Sequence, residues 1–243
     1  MKKEADMADK PVYKRIVFKL TGEALKSTRK ILVYDKEAVK EIAREILTIH
    51  NIGTEIVLVI GGGNIIRGRQ LDYIKRTVAD KMGMLVTMPN GLYLQDILEQ
   101  QDVEVRVQSA VHIDDFAEPY ISRKAISHLE KGRIVILVAG IGTPFFSTDQ
   151  TAVLRALDLH ANAIIKGTKT DGLYRNYPPK ENEKPVDNIP FEKIREIKFG
   201  TLFDSTALEL LIENPMPLHI INIFTKGNLL KVLQGKKVGT KIS

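Results

Sequence analysis

Apolar and polar positions alternate along this chain in two rhythms. Between Tyr13 and Leu20, the apolar residues Ile16, Phe18 and Leu20 take every second place among charged neighbours, the period of a strand. From about Asp35 the rhythm lengthens. Val39, Ile42, Ala43, Ile46 and Ile49 recur every three or four residues, one face of a helix, with Gly53 beyond its end. Unbroken apolar runs at Ile56–Ile60 and Ile134–Ala139 predict strands covered on both faces. Val103–Val107, Ala163–Lys166 and His219–Phe224 bring the expected strands to at least six. Such alternation of strand and helix predicts an α/β protein with a mainly parallel sheet between helices. Two segments interrupt it. Pro89 falls inside an otherwise helical stretch from Val78 to Leu98 and predicts a kink or break. Tyr177 to Pro190, rich in proline and charge, predicts a mobile loop. Residues 1–10 read as a disordered tail and 11–243 as a single domain.

Composition narrows the classes. With 44% apolar and 27% charged residues over 243 positions, the balance is that of a folded globular chain. No cysteine is present, which excludes disulfides, thiolate metal sites and cysteine nucleophiles. A net charge of +6 favours polyanionic partners, yet no basic run interleaved with aromatics suggests a nucleic-acid groove. The first ten residues lack the apolar core of a signal peptide, and no apolar run approaches the ~20 residues that span a bilayer. The expectation is a cytoplasmic protein with no membrane partner.

Candidate chemistry sits in turns directly after the apolar strands, where open parallel sheets bind ligands. The first strand leads into Lys19-Leu20-Thr21-Gly22-Glu23, the second into Gly61-Gly62-Gly63-Asn64 with Arg67 beyond, and Ile134–Ala139 into Gly140-Ile141-Gly142-Thr143-Pro144 and Ser147-Thr148-Asp149. Consecutive glycines let backbone N–H groups approach phosphate oxygens, a following helix would add its positive end, and an arginine can hold such oxygens in two places. Asp149 stands where the N-cap of a helix is expected, since Ala152, Val153, Ala156 and Leu157 mark the face behind it. There is no G-x-x-x-x-G-K-[ST], H-E-x-x-H or G-x-S-x-G, and Phe145 occupies the place of a glycine in a dinucleotide fingerprint.

Taken in order, Lys19–Leu25 (KLTGEAL), Gly61–Gly68 (GGGNIIRG), Asp80–Leu85 (DKMGML), Gly140–Asp149 (GIGTPFFSTD) and Lys166–Tyr174 (KGTKTDGLY) resemble the bacterial UMP kinases of the amino-acid kinase fold, from about Pro11 onward. The resemblance implies a three-layer αβα sandwich around an about eight-stranded, mostly parallel sheet, a homohexamer, inhibition by UTP, and transfer of the γ-phosphoryl group of Mg²⁺-ATP to UMP in pyrimidine nucleotide biosynthesis. It implies that Lys19 neutralises charge on the transferring group, that Asp149 stands at the reaction centre and that Asp204 orients the lysine. Leu20, Thr21, Gly22, Gly63 and Arg67 would line the ATP phosphates, with Thr168, Tyr174 and Tyr177 by the adenosine. Gly62 and Asp80 would contact UMP, the latter at its ribose, while Ile141, Gly142, Thr143, Pro144, Phe145, Phe146, Ser147 and Thr148 would wrap the uracil. No protein metal ligand is assigned; Mg²⁺ would come with ATP. Subunits are expected to join through exposed apolar residues on the helix from Asp35 to Asn51.

Several positions depart from that pattern. The family has threonine where this chain has Ile141, asparagine where it has Thr143, and an aspartate at the place of Tyr177. The glycine-rich stretch that takes part in GTP activation is here Ser27-Thr28-Arg29-Lys30-Ile31, while Arg106 and Arg133 match basic positions of the family's effector site. Two alternatives therefore stay open: a kinase of this fold with another acceptor, and a nucleotide-binding regulatory module without catalysis.

Overall fold

A computed structural model describes residues 10–26, 33–66, 71, 73–176, 179–181, 183–196 and 203–243. The apolar run that predicts the first strand forms β1 (Arg15–Leu20), the centre of the sheet. Its neighbours are β2 (Glu55–Ile60) and β6 (Ala163–Thr168), both parallel to it. Outward from β2 lie β5 (Ile134–Val138), β3 (Val105–Ser109) and the two-residue β4 (Glu118–Pro119). Beyond β6 come β8 (Leu218–Asn222), β9 (Thr240–Ile242) and the two-residue β7 (Asn188–Ile189). Among the described residues the sheet thus has nine strands, and its one antiparallel strand pair is β8 with β9. Short edge pairings make up the difference from eight. β7 falls inside the segment Tyr177–Pro190, whose end is therefore strand and not loop: Asn188 and Ile189 register with Lys241 and Ile242.

Period two sorts the strand residues between two cores. Ile16, Phe18 and Leu20 of β1 face one side with α1 (Lys36–Asn51), α3 (Thr87–Glu99) and α7 (Asn228–Leu233). Val17 faces the other, with α4 (Ser122–Glu130), α5 (Thr148–Asp158) and α6 (Ser205–Glu213). Burying a side chain of this size contributes about 1.5–3 kcal/mol, so both layers are held by the same alternation. α1 begins at Asp35, whose carboxylate accepts from the N–H groups of Glu37 and Ala38 at 3.1 Å each. Its apolar residues Val39, Ile42, Ala43, Ile46 and Ile49 are buried in the core, which corrects the expectation of an exposed apolar stripe there. The exposed apolar side chains of a helix lie instead on α2 (Arg76–Leu85), at Val78, Met82 and Leu85.

The break expected near Pro89 occurs at Val86, between α2 and α3. Pro89 itself fits in the first turn of α3, where its missing N–H has no intrahelical acceptor to lose. No described helix is long and apolar enough to cross a membrane. The tail up to residue 9, the stretch Ser27–Ile31, Arg67 and Tyr177 lie outside the described residues.

Candidate active site

Two lysines stand side by side in the C-terminal halves of the central strands. Lys19 on β1 registers with Lys166 on β6, and the alternation that buries Val17 and Ile164 on the α5–α6 side places both lysines on that side too. Asp149, in the first turn of α5, lies between them. Lys166 Nζ donates to both Asp149 oxygens at 2.8 and 2.7 Å, and Lys19 Nζ stands 3.2 Å from Oδ1. All three residues are at least 92% buried, with exposures of 8%, 6% and 8% for Lys19, Lys166 and Asp149.

Asp149 is not the N-cap that its position suggested. Ser147 is: its Oγ accepts from Gln150 N at 3.2 Å while Gln150 Oε1 accepts from Ser147 N at 2.7 Å. That reciprocal pair satisfies the helix end and leaves the Asp149 carboxylate for the lysines. Asp204 caps α6 in the ordinary way, accepting from Ala207 N at 3.1 Å, and its own N–H donates to Asp149 Oδ2 at 3.2 Å. The backbone of Asp204 therefore aims the carboxylate of Asp149, while its side chain adds negative charge near Lys166. The Phe203 ring covers the Lys166 ammonium at 4.8 Å.

These contacts set the charges. Burial alone would raise the Asp149 carboxyl, but the two ammonium groups outweigh it and hold it below the usual carboxylate range. Burial, then repulsion from Lys19, lowers Lys166 to about 8 against the pull of Asp149.

The glycine turns pack beside this cluster. A Cβ on Gly22 would come within 2.4 Å of Gly61 O and 2.6 Å of Asn64 Oδ1, so the turns after β1 and β2 touch backbone to backbone. Gly62 is equally confined, 2.5 Å from Val86 Cγ2, whereas the nearest atom to a Cβ on Gly63 would be Glu23 Cγ at 3.7 Å. Buried Asn90 braces the turn by donating to Gly61 O and Asn64 Oδ1, both at 2.8 Å. After the triple glycine, Ile65 and Ile66 N both return to Gly62 O as a turn, and the first described helix beyond it is α2 at Arg76; residues 67–70 and 72 between them lie outside the described residues. Thr21 leads into the 3₁₀ turn Gly22–Leu25, and Leu20 is fully buried, so it can offer only backbone. On the neighbouring strand end, Thr168 Oγ1 donates to Thr170 O at 2.8 Å, and Lys169 reaches Glu23 at 3.4 Å. Tyr174 is half-buried in the turn that follows.

Across α2 lies a cavity of about 150 Å³ lined by Asp80, Thr143, Phe146 and Thr148 among others. Asp80 Oδ2 accepts from Phe145 N at 2.9 Å and from Arg76 Nε at 3.3 Å, pinning the loop to α2. Phe145 is held at φ 75°, and Gly142 at φ 83° lies so close to Ala110 O that a Cβ would meet it at 2.9 Å. Ile141, Pro144 and Phe145 are not among the residues lining the cavity, and Ser147 serves as the cap. Arg106 and Arg133 lie elsewhere, at the opposite ends of the strands, where both pair with Glu104 Oε2 at 2.9 and 2.8 Å.

The sequence motifs include Lys166 and Asn64 but give neither a role, and Asn90 falls outside them. For Lys166 the signal was available: a charge in the apolar run Ala163–Thr168, in step with Ile164.

An open parallel sheet whose two central strands carry lysines in their C-terminal halves around a helix-borne carboxylate, beside tight glycine turns, is the arrangement of an α/β phosphotransferase. A model of the amino acid kinase family matches residues 14–222, and the chain belongs to that family. It is similar to the solved UMP kinase of Bacillus anthracis, at 33% identity and a TM-score of 0.90 over 95% of this chain and 96% of that one. Similarity to the UMP kinase of Ureaplasma parvum is 32% identity with a TM-score of 0.86, again over 95% and 96%. The uridylate kinase of Archaeoglobus fulgidus shares the fold at 22% identity and a TM-score of 0.70, over 94% of this chain and 99% of that one.

Proposed function

We propose that this enzyme transfers the γ-phosphoryl group of ATP to a phosphate oxygen of UMP, giving ADP and UDP. The observation that carries this is the Lys19–Asp149–Lys166 cluster at the C-terminal halves of β1 and β6. Two nucleotides bring their phosphates together, and like unit charges at 4 Å repel by about 4 kcal/mol at an effective dielectric near 20. Two ammonium groups fixed by rigid strands would offset that repulsion as charge shifts to the leaving oxygen. A nucleoside monophosphate has lost its second proton above pH ~6, so its attacking oxygen needs no general base. Asp149 is then best understood as the anchor that keeps two buried cations adjacent and aimed, with catalysis resting on position and charge.

Gly22 and Gly63 would border the ATP phosphates. Asp80, Thr143 and Thr148 would meet the acceptor, Asp80 releasing Phe145 N to take a ribose hydroxyl. Mg²⁺ would supply further charge neutralisation on the phosphates. Both Asp149 oxygens are engaged by lysines, and among the described residues no three His, Asp or Glu stand together as a metal site. No described side chain is assigned to the ion, and no step is routed through it. We further infer a cytoplasmic homohexamer inhibited by UTP; light scattering on the purified protein should then give a mass about six times that of one chain.

A coupled assay of ADP formation across UMP, CMP, dUMP and carboxylate or carbamate acceptors tests the assignment. UMP is expected to have the highest kcat/KM. Turnover with another acceptor class and none with UMP would replace it, and no turnover with any would favour the regulatory module.

A further inference from the structure

A further cavity lies away from this site. A space of about 420 Å³ opens between the segment before β1, the loop joining α7 to β9, and the strands β8, β9 and β7. Lys19 stands in the C-terminal half of β1, whereas Tyr13 precedes the strand and His219 is the second residue of β8, so this cavity lies toward the opposite pole of the sheet. We propose that it is a second binding site, for a phosphorylated small molecule, and that it acts independently of the acceptor chosen at the catalytic pole.

The charge balance is the first support. Lys236, Lys237 and Lys241 line the cavity and make no ion pair with any described residue. Against these three cations stands one acidic side chain among the described lining residues, that of Asp187. Ammonium groups gathered without counter-charges raise one another's energy, and an entering polyanion relieves that.

The floor is the second. His219 is 93% buried, being 7% exposed, yet it sits on a polar contact: its Nε2 lies 3.0 Å from Tyr13 Oη, with the rings edge to face at 5.5 Å. Burial, then the charge of its register partner Lys241, lowers the imidazole to about 4. At neutral pH the floor is thus an uncharged imidazole–phenol pair, beside Val12, Val232 and Val238. A neutral polar and apolar floor under a cationic rim suits a ligand with an uncharged body and a charged end. The volume falls in the range of about 300–1,000 Å³ typical of small-molecule sites. Lysines bind phosphate as point charges in any orientation, and the described cations of this rim are all lysines.

The test uses inorganic tripolyphosphate as probe and calorimetry on the full chain. Binding is expected to persist in Lys19→Ala, which removes a cation from the other pole, and to shift the His219 ring resonances in that protein. It should weaken roughly tenfold in Lys236→Gln/Lys237→Gln, whose side chains are exposed and whose loss leaves β9 intact. Three results would overturn the proposal. Binding that vanishes in Lys19→Ala places all of it at the catalytic pole. An equal weakening in Lys36→Gln/Lys131→Gln, exposed lysines on other elements, reduces it to net charge. Citrate binding as tightly as tripolyphosphate removes the phosphate assignment.

Discussion

The charged cluster and the acceptor loop are built in opposite ways. Lys19, Lys166 and Asp149 come from two central strands and a helix, and each is more than nine-tenths buried. The loop from Gly140 to Ser147 exposes Phe145 and Phe146 by 60% and 47% and holds Phe145 at φ 75°. Its attachment is largely one carboxylate, Asp80, gripping one backbone N–H. Regular elements fix the charged groups of the cluster, while the loop proposed to meet the acceptor is held by few contacts. On this contrast, changes in the cluster should alter rate and stability, and changes in the loop should alter substrate affinity alone.

The largest effect is expected from Lys19→Ala. If Lys19 acts on charge that develops during transfer, kcat falls by roughly two orders of magnitude or more. A near-normal kcat with only a raised KM for ATP would make Lys19 a ground-state contact and blur the contrast. Asp149→Asn comes next. Removing one partner from a buried charge group typically costs about 3–5 kcal/mol, and here it leaves two ammonium groups facing each other. Urea unfolding should show a loss of about 3 kcal/mol; a loss under about 1 kcal/mol, the scale of exposed pairs, would mean the cluster is not a structural unit.

Titration of Lys166 separates activity from stability. Its ammonium is lowered from 10.5 to about 8 in the folded protein. Between those values the unfolded chain holds more protons, so stability contributed by this residue rises with pH. Over the same interval the free enzyme loses a cation from its site, so kcat/KM should fall severalfold from pH 8 upward. Lys166→Arg, which stays charged, should flatten that limb; an unchanged limb would assign it to another group. Asp149 has the opposite sign: its lowered carboxyl contributes stability above the ordinary carboxylate range that is lost as acid protonates it.

The smallest effect belongs to the loop. Thr143 lines the cavity beside α2, proposed above for the acceptor, and Ile141 does not. Thr143→Val should remove one neutral hydrogen bond, about 1 kcal/mol, and raise the KM for UMP roughly fivefold without changing kcat. Ile141→Thr should leave it nearly unchanged. Steady-state kinetics with UMP and CMP on both variants would show the reverse if residue 141 reads the base.

Much of this was legible in the residues. The period of two in Ile16, Phe18 and Leu20 identifies β1, and the apolar runs of β2 and β5 identify strands because a sheet covered on both faces admits little else. Lys19 was visible as a charge near the end of β1. The capping role at Ser147 was harder to see. Ser147-Thr148-Asp149 offers three residues able to cap, and only the reach of Gln150 back to Ser147 N selects the first. The two-residue strand β7 could not be found, since a pairing of Asn188 and Ile189 with β9 depends on chain 53 residues away (Asn188 to Lys241).

What the sequence determined by itself was the set of elements and the positions at which chemistry could sit, because strand period and turn composition are local properties. The tertiary structure decided which of those positions meet. Lys19 and Lys166 are far apart along the chain, and only the parallel register of β1 with β6 makes them neighbours. Asp149 joins them because α5 packs on the face to which period two turns both lysines. The resulting shifts in charge follow from burial and proximity, which belong to the folded arrangement and to no single residue.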